Sequence, residues 1–225
     1  MKSQIKTTLV IGSVVAASFA NAVIMIDDFT TGAGSNTLTT GTTYYSQAGS
    51  MLGGDRVGSI TVTGNAFGLD VSVDTVAGIM SMNSQSGVDA ILTTNYGYNL
   101  VSPMSTSFDD LNVDFSGESQ FEIRTVSRDG DLRIDFLVRN SPNSFVTVSK
   151  FLVGSAINTP EVVTWDFSEF AGVNWSNVDQ VLVRFDTSNS GDVAVDYIKA
   201  VPEPATMTVL AAAAAIAAAR RRRKS

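Results

Sequence analysis

Between residues 120 and 140 the chain changes character at almost every step. Phe121, Ile123 and Thr125 alternate with Glu122, Arg124 and Val126, and Leu132, Ile134 and Phe136 alternate with Arg133 and Asp135. Val181, Val183 and Phe185 repeat the pattern against Leu182 and Arg184. A period of two sends successive side chains to opposite faces of an extended strand, so such a segment is buried on one side and solvated on the other. Alternating or apolar runs of this kind, bounded by Gly, Ser, Asn and Asp, predict strands over 24–29, 57–63, 67–73, 77–83, 89–94, 111–115, 120–127, 132–139, 145–151, 162–167, 178–185 and 193–200. No segment between 23 and 200 has a convincing helical period, and the nearest, 168–173, is too short. A dozen short strands in one chain predict an all-β fold, a β-sandwich, and their number favours a jelly roll over an immunoglobulin-like domain. Arg128-Asp129-Gly130-Asp131 reads as a hairpin turn, because Asp and Gly tolerate positive φ. The Thr-, Ser- and Gly-rich stretch 32–54 reads as a mobile loop or an early strand plus loop. No internal repeat and no second domain are visible.

The two ends have a different character. Lys2 and Lys6 precede an apolar run from Leu9 to Ala20, which closes on Ala20-Asn21-Ala22. A positive flank, a short apolar run and an A-x-A site are the three parts of a secretory signal peptide, so 1–22 is predicted to be removed after Ala22. A buried N-terminal helix explains these features less well. At the other end Pro202-Glu203-Pro204 is followed by uncharged, Ala-rich residues 205–219, then by Arg220, Arg221, Arg222, Arg223 and Lys224. The prolines favour an extended linker. The alanines favour a helix, and about 15 residues at 1.5 Å each reach only ~22 Å, short of a ~30 Å hydrocarbon core. The basic cluster stays cytoplasmic by the positive-inside rule, which places the body on the outer side of the membrane.

This tail resembles the PEP-CTERM sorting signal, with Pro202, Glu203 and Pro204 as the motif, a short transmembrane helix and a basic terminus in order over 201–225. Its alanine richness departs from family helices that carry more Leu, Gly and aromatic residues. The resemblance implies recognition by an exosortase, a membrane-embedded cysteine-protease-like enzyme, with the tail removed near the motif. It implies delivery to the cell surface or extracellular matrix of a Gram-negative bacterium that makes exopolysaccharide, in a biofilm or floc. An unprocessed tail anchor is the alternative.

Between the two signals, 23–200 carries 8 Lys and Arg against 21 Asp and Glu, a formal charge of −13 where the whole chain has −7. That argues against nucleic acid or anionic membrane as a partner of the body. The chain has no Cys and no His, which excludes disulfides, zinc sites built on those residues and the usual Ser-His-Asp and Cys-His nucleophiles. Carboxylate chemistry and oxygen-ligated metals remain. Adjacent acids such as Asp27-Asp28 and Asp109-Asp110 point to opposite faces of a strand and make a poor acid–base couple, so no catalytic residue is assigned and the body is expected to be non-enzymatic.

A second resemblance covers most of the body. Ile26-Asp27-Asp28-Phe29, Gly53-Gly54-Asp55-Arg56, the run Trp165 to Phe170, Val178-Asp179-Gln180-Val181 and Val195-Asp196-Tyr197-Ile198 are ordered as in galactose-binding-like jelly rolls, a group that includes many carbohydrate-binding modules. That resemblance implies a structural calcium ion held by Asp27 or Asp28 and Asp196 where first and last strands meet, a chemistry that suits carboxylate oxygens. It also implies a sugar-binding surface of exposed aromatics, for which Tyr96, Tyr98 and Trp175 are the leading residues, with Tyr44, Tyr45 and Asn174 in similar contexts. Rings that finish the edge of the core are the competing explanation. Trp165 is assigned to the core, and Arg56 to a nearby acid or a turn. The expected function is that of an exported surface or matrix protein, structural or exopolysaccharide-associated. The alternatives are a carbohydrate-binding module and a small polysaccharide-active hydrolase.

Overall fold

A computed structural model describes residues 23–102, 105–187 and 189–202. The expected signal peptide 1–22, Glu203 and Pro204 of the motif, the hydrophobic stretch and the basic residues Arg220–Arg223 and Lys224 lie outside the described residues. Within them the chain forms fifteen strands, numbered in chain order, and two short 3-10 turns, Leu52–Gly54 and Phe167–Glu169. Every pairing between strands is antiparallel.

Sheet A runs in the order β13 (Glu161–Asp166), β10 (Gln120–Asp129), β15 (Asp192–Val201), β6 (Ile79–Ser84), β5 (Val71–Val76), β2 (Gly34–Leu38). The first strand, β1 (Ile24–Asp27), pairs with the C-terminal half of β15, on the side where β6 pairs with its N-terminal half. Sheet B runs β12 (Ser144–Leu152), β11 (Leu132–Ser141), β14 (Gln180–Thr187), β7 (Val88–Tyr96), β4 (Asp55–Asn65), β3 (Gly41–Ala48). A separate hairpin is made by β8 (Tyr98–Ser102) and β9 (Ser105–Phe108). The result is the expected two-sheet jelly-roll sandwich.

The period of two decides which face meets the other sheet. Phe121 and Ile123 of β10, Val193 and Val195 of β15 and Met80 and Met82 of β6 are buried against Ile134 and Phe136 of β11, Val183 and Phe185 of β14 and Leu92 of β7. One end of this core is aromatic. Phe121 stacks on Phe136 at 4.2 Å, with Phe115, Phe167 and Phe170 around it, and Trp165 packs on Phe136 at 5.5 Å. Trp165 is fully buried, as expected, and donates its indole N–H to the Val148 carbonyl.

Three local expectations change. The turn at 128–131 joins no hairpin: β10 belongs to sheet A and β11 to sheet B, so the chain crosses between sheets there. Gly130 supplies the positive φ, 80°, that a sharp reversal needs whether or not its flanking strands pair. The run 111–115 is a connection held by one bridge, Val113 to Val178, rather than a strand. The polar stretch 32–54 contains β2 and β3, whose Ser, Thr and Gly residues lack apolar alternation because both lie at sheet edges.

Candidate functional site

The outward face of sheet B is an in-register grid. One row across all six strands reads Ser149, Asp135, Arg184, Thr93, Ser59, Tyr44, each residue the registered partner of the next. A neighbouring row reads Phe151, Arg133, Asp186, Ile91, Thr61, Thr42. The strands are about 4.8 Å apart, so each row spans about 24 Å. The hairpin β8–β9 stands at one side, and with the sheet it encloses an open groove of about 410 Å³. Tyr44 and Tyr98 bring rings to this groove, Ser59, Thr61, Thr93 and Thr106 bring hydroxyls, and Asn95 and Arg184 bring N–H donors. Ile91 and Leu182 complete the lining.

Charge on this face is internally balanced. Arg133 donates to Asp135 at 2.7 Å, Arg184 donates to Asp186 at 3.0 Å and sits 3.9 Å from Asp135, and the Ser149 hydroxyl donates to Asp135 at 2.6 Å. Polar side chains are thus fixed in place without a net field. A recess of about 310 Å³ on sheet A differs in kind: Asp70, Asp192, Asn83 and Gln85 line it, with no aromatic ring.

The residues expected at a sugar surface divide between the groove and the interior. Gly97 has φ of 94°, and a Cβ there would strike the Asp179 carbonyl, so only glycine fits. Its reversal sends the two flanking tyrosines apart. Tyr98 is half-buried in the groove, whereas Tyr96 is fully buried between the sheets. The shared aromatic tip at 96–98 is therefore corrected: Tyr96 has no face to offer a sugar. Tyr44 reaches the groove, and Tyr45, one residue on, points inward and is 7% exposed. Trp175 is half-buried and is not among the residues that line the groove. Its ring lies flat on Phe167, 3.7 Å between centroids and 12° between planes, and closes the aromatic end of the core. Asn174 accepts from Ser176 and, through its backbone, exchanges hydrogen bonds with Asn140.

The expected calcium ligands each have a different partner. Asp27 points into the sandwich, where Arg56 donates to its carboxylate and Tyr96 donates its hydroxyl at 2.8 Å. Arg56 is fully buried. It also donates to Gln47 Oε1 at 2.9 and 2.7 Å and to the Gly32 carbonyl at 3.1 Å. The oxygens of Asp27, Gln47 and Gly32 are thus gathered around one guanidinium. Phe29, buried with φ of 54°, is held in that left-handed conformation by its N–H donating to Asp27 Oδ1 at 2.8 Å, with Arg56 over its ring at 5.1 Å. Burial, reinforced by the Asp27 charge, pushes the Tyr96 hydroxyl well above the ordinary tyrosine range, so it stays protonated as a donor. Asp196 receives Arg124 at 2.5 Å with both side chains part-exposed. Asp28 accepts from the Thr30 hydroxyl and N–H at 2.6 and 3.1 Å, which hold its carboxyl below the usual range. Among the described residues no three acidic side chains are close enough to share a metal ion.

Sequence reasoning missed the polar floor of the groove. The signal was the outward half of an alternation already recognised, Leu182 and Arg184 on β14, whose registered partners on β7, Asn95 and Thr93, are far off in the chain.

Residues 200–224 match the PEP-CTERM protein-sorting motif. Among solved structures, the chain is similar to the family 11 carbohydrate-binding module of the cellulosomal cellulase Lic26A-Cel5E of Clostridium thermocellum, at 16% identity and a TM-score of 0.42, over 80% of this chain and 95% of that one. It is also similar to a family 29 carbohydrate-binding module, at 12% identity and a TM-score of 0.34, over 74% and 88%. A third is TmCBM61 in complex with β-1,4-galactotriose, at 11% identity and a TM-score of 0.35, over 64% and 88%. No curated protein matches the chain.

Proposed function

We propose that the chain is an exported, non-enzymatic surface or matrix protein, handed by its tail to an exosortase, whose sandwich holds a polysaccharide in the groove on sheet B. The observation that carries export is the sorting motif over 200–224, which begins at the end of β15. Val201 is still paired with Gln120, and its carbonyl accepts the Ser119 N–H at 2.9 Å. Removal of the tail beyond Pro202 would therefore leave the last strand whole. Mass spectrometry of the mature protein from its native host tests this. A C-terminus close to Pro202–Pro204 is expected, and one that retains Arg220–Arg223 overturns it.

The groove supports the carbohydrate reading through its chemistry. Its hydroxyls and the Asn95 amide can exchange hydrogen bonds with sugar hydroxyls, the two tyrosines offer apolar faces with a polar tip, and Arg184 is already paired. No carboxylate lines the groove, which favours holding over hydrolysis, since glycoside cleavage uses two carboxyl groups flanking the bond. The exopolysaccharide of the exporting bacterium, cast into a native gel, should retard the mature protein. Tyr44→Ala and Tyr98→Ala should each weaken retention about threefold to tenfold, the scale of an aromatic contact. Unretarded wild-type protein would remove the polysaccharide reading and leave the export reading intact.

A further inference from the structure

The groove ends at β14, but the row that forms part of its floor does not. Thr61 and Ile91 line the groove. The next registered residues in that row, Asp186, Arg133 and Phe151, line a second open recess of about 260 Å³ where β11, β12 and β14 end, with Asp131, Leu132, Leu152, Val153 and Thr187. Phe151 lies on the edge strand β12, and its outward direction follows from the alternation that sends Val146, Val148 and Leu152 to the core. It is 69% exposed, and Arg133 covers one side of it at 5.6 Å. The stretch between the two recesses is the ion-paired group Arg133, Asp135, Arg184 and Asp186, which carries two charges of each sign.

Resting on the polysaccharide reading, we propose that Phe151 and Arg133 form a distal subsite of the same track, so that sheet B grips the interior of an extended, uncharged chain across its full width. Three observations point this way. Both recesses are open, so neither is shaped to enclose a chain end. Hydrogen-bonding groups recur at each strand between them. The two arginines of this track, Arg133 and Arg184, are each paired with an acid, on a body that is itself strongly acidic, which disfavours an anionic polymer. From β3 to β14 is three strand spacings, about 14 Å, and from β3 to β12 five, about 24 Å. A short oligosaccharide fills the groove alone, and only a longer one reaches Phe151.

Length dependence tests this. The host exopolysaccharide is partially hydrolysed and sized into trisaccharide and hexasaccharide fractions, and binding to the mature protein is measured by calorimetry. Phe151→Ala should weaken hexasaccharide binding about threefold to tenfold and leave trisaccharide binding unchanged, with Phe151→Tyr restoring wild-type behaviour. Tyr44→Ala should weaken both. If Tyr44→Ala weakens both and Phe151→Ala changes neither, the distal subsite is wrong and the groove stands. A Phe151→Ala effect of equal size on both lengths also overturns it. If Tyr44→Ala changes neither, the groove reading itself falls. Because Phe151 is exposed, its substitution leaves the core intact.

Discussion

Arg56 and Asp27 make a charge pair sealed from water, and the two side chains stabilise the fold only together. Removing one leaves the other desolvated and unpaired, which costs about 3–5 kcal/mol. Arg56→Ala should lose that much stability in urea unfolding, while Tyr96→Phe, which removes one donor to a charged acceptor, should lose about 1.5–3 kcal/mol. Titration offers a check with a definite sign. Burial and then the Asp109 charge raise the Asp55 carboxyl above its ordinary value of 3.8. The folded state then holds this proton more tightly than the unfolded chain. Its contribution is complete below pH 3.8 and is lost as pH rises through the raised value. Asp55→Asn should therefore raise the melting temperature relative to wild type at neutral pH more than it does in acid. Asp28 has the opposite sign: its contribution is present above 3.8 and is lost as pH falls. Of these roles only that of Arg56 was legible in the sequence, as a cation in search of an acid. Which side of the sheet Asp27 faces is a matter of register with β15, and a bulge between Met25 and Asp27 shifts that register.

Strands with a clean apolar period, β10, β11 and β14, were readable because one face of each is sealed in the core. The edge strands β2 and β3 and the β8–β9 hairpin were not, because a half-solvated strand of Ser, Thr and Gly has the composition of a loop. The same limit hid the groove, whose outer row is polar by necessity and becomes a site only when six strands align. β1 shows what a short element can contribute. It is four residues long, yet it covers an edge of β15 and brings Asp27 to Arg56. A mature chain beginning at Asp28 should lose at least about 3 kcal/mol through the stranded guanidinium alone. It should also expose a strand edge open to pairing with other chains, visible as higher-order species in size-exclusion chromatography.

For the molecule as a whole, the place where first and last strands meet already holds a cation, Arg56, paired with Asp27. Millimolar calcium should leave the melting temperature of the mature protein unchanged, and a rise by mass action would show a site outside the residues described above. The order of sheet A has a temporal consequence for an exported chain. β15, the strand flanked by β10 on one side and β6 and β1 on the other, is the last part of the body to leave the translocation channel. Until it emerges, β10 and β6 have no partner between them and half of the sandwich stays open. In a chain exported as proposed, the body would close only as the sorting segment arrives.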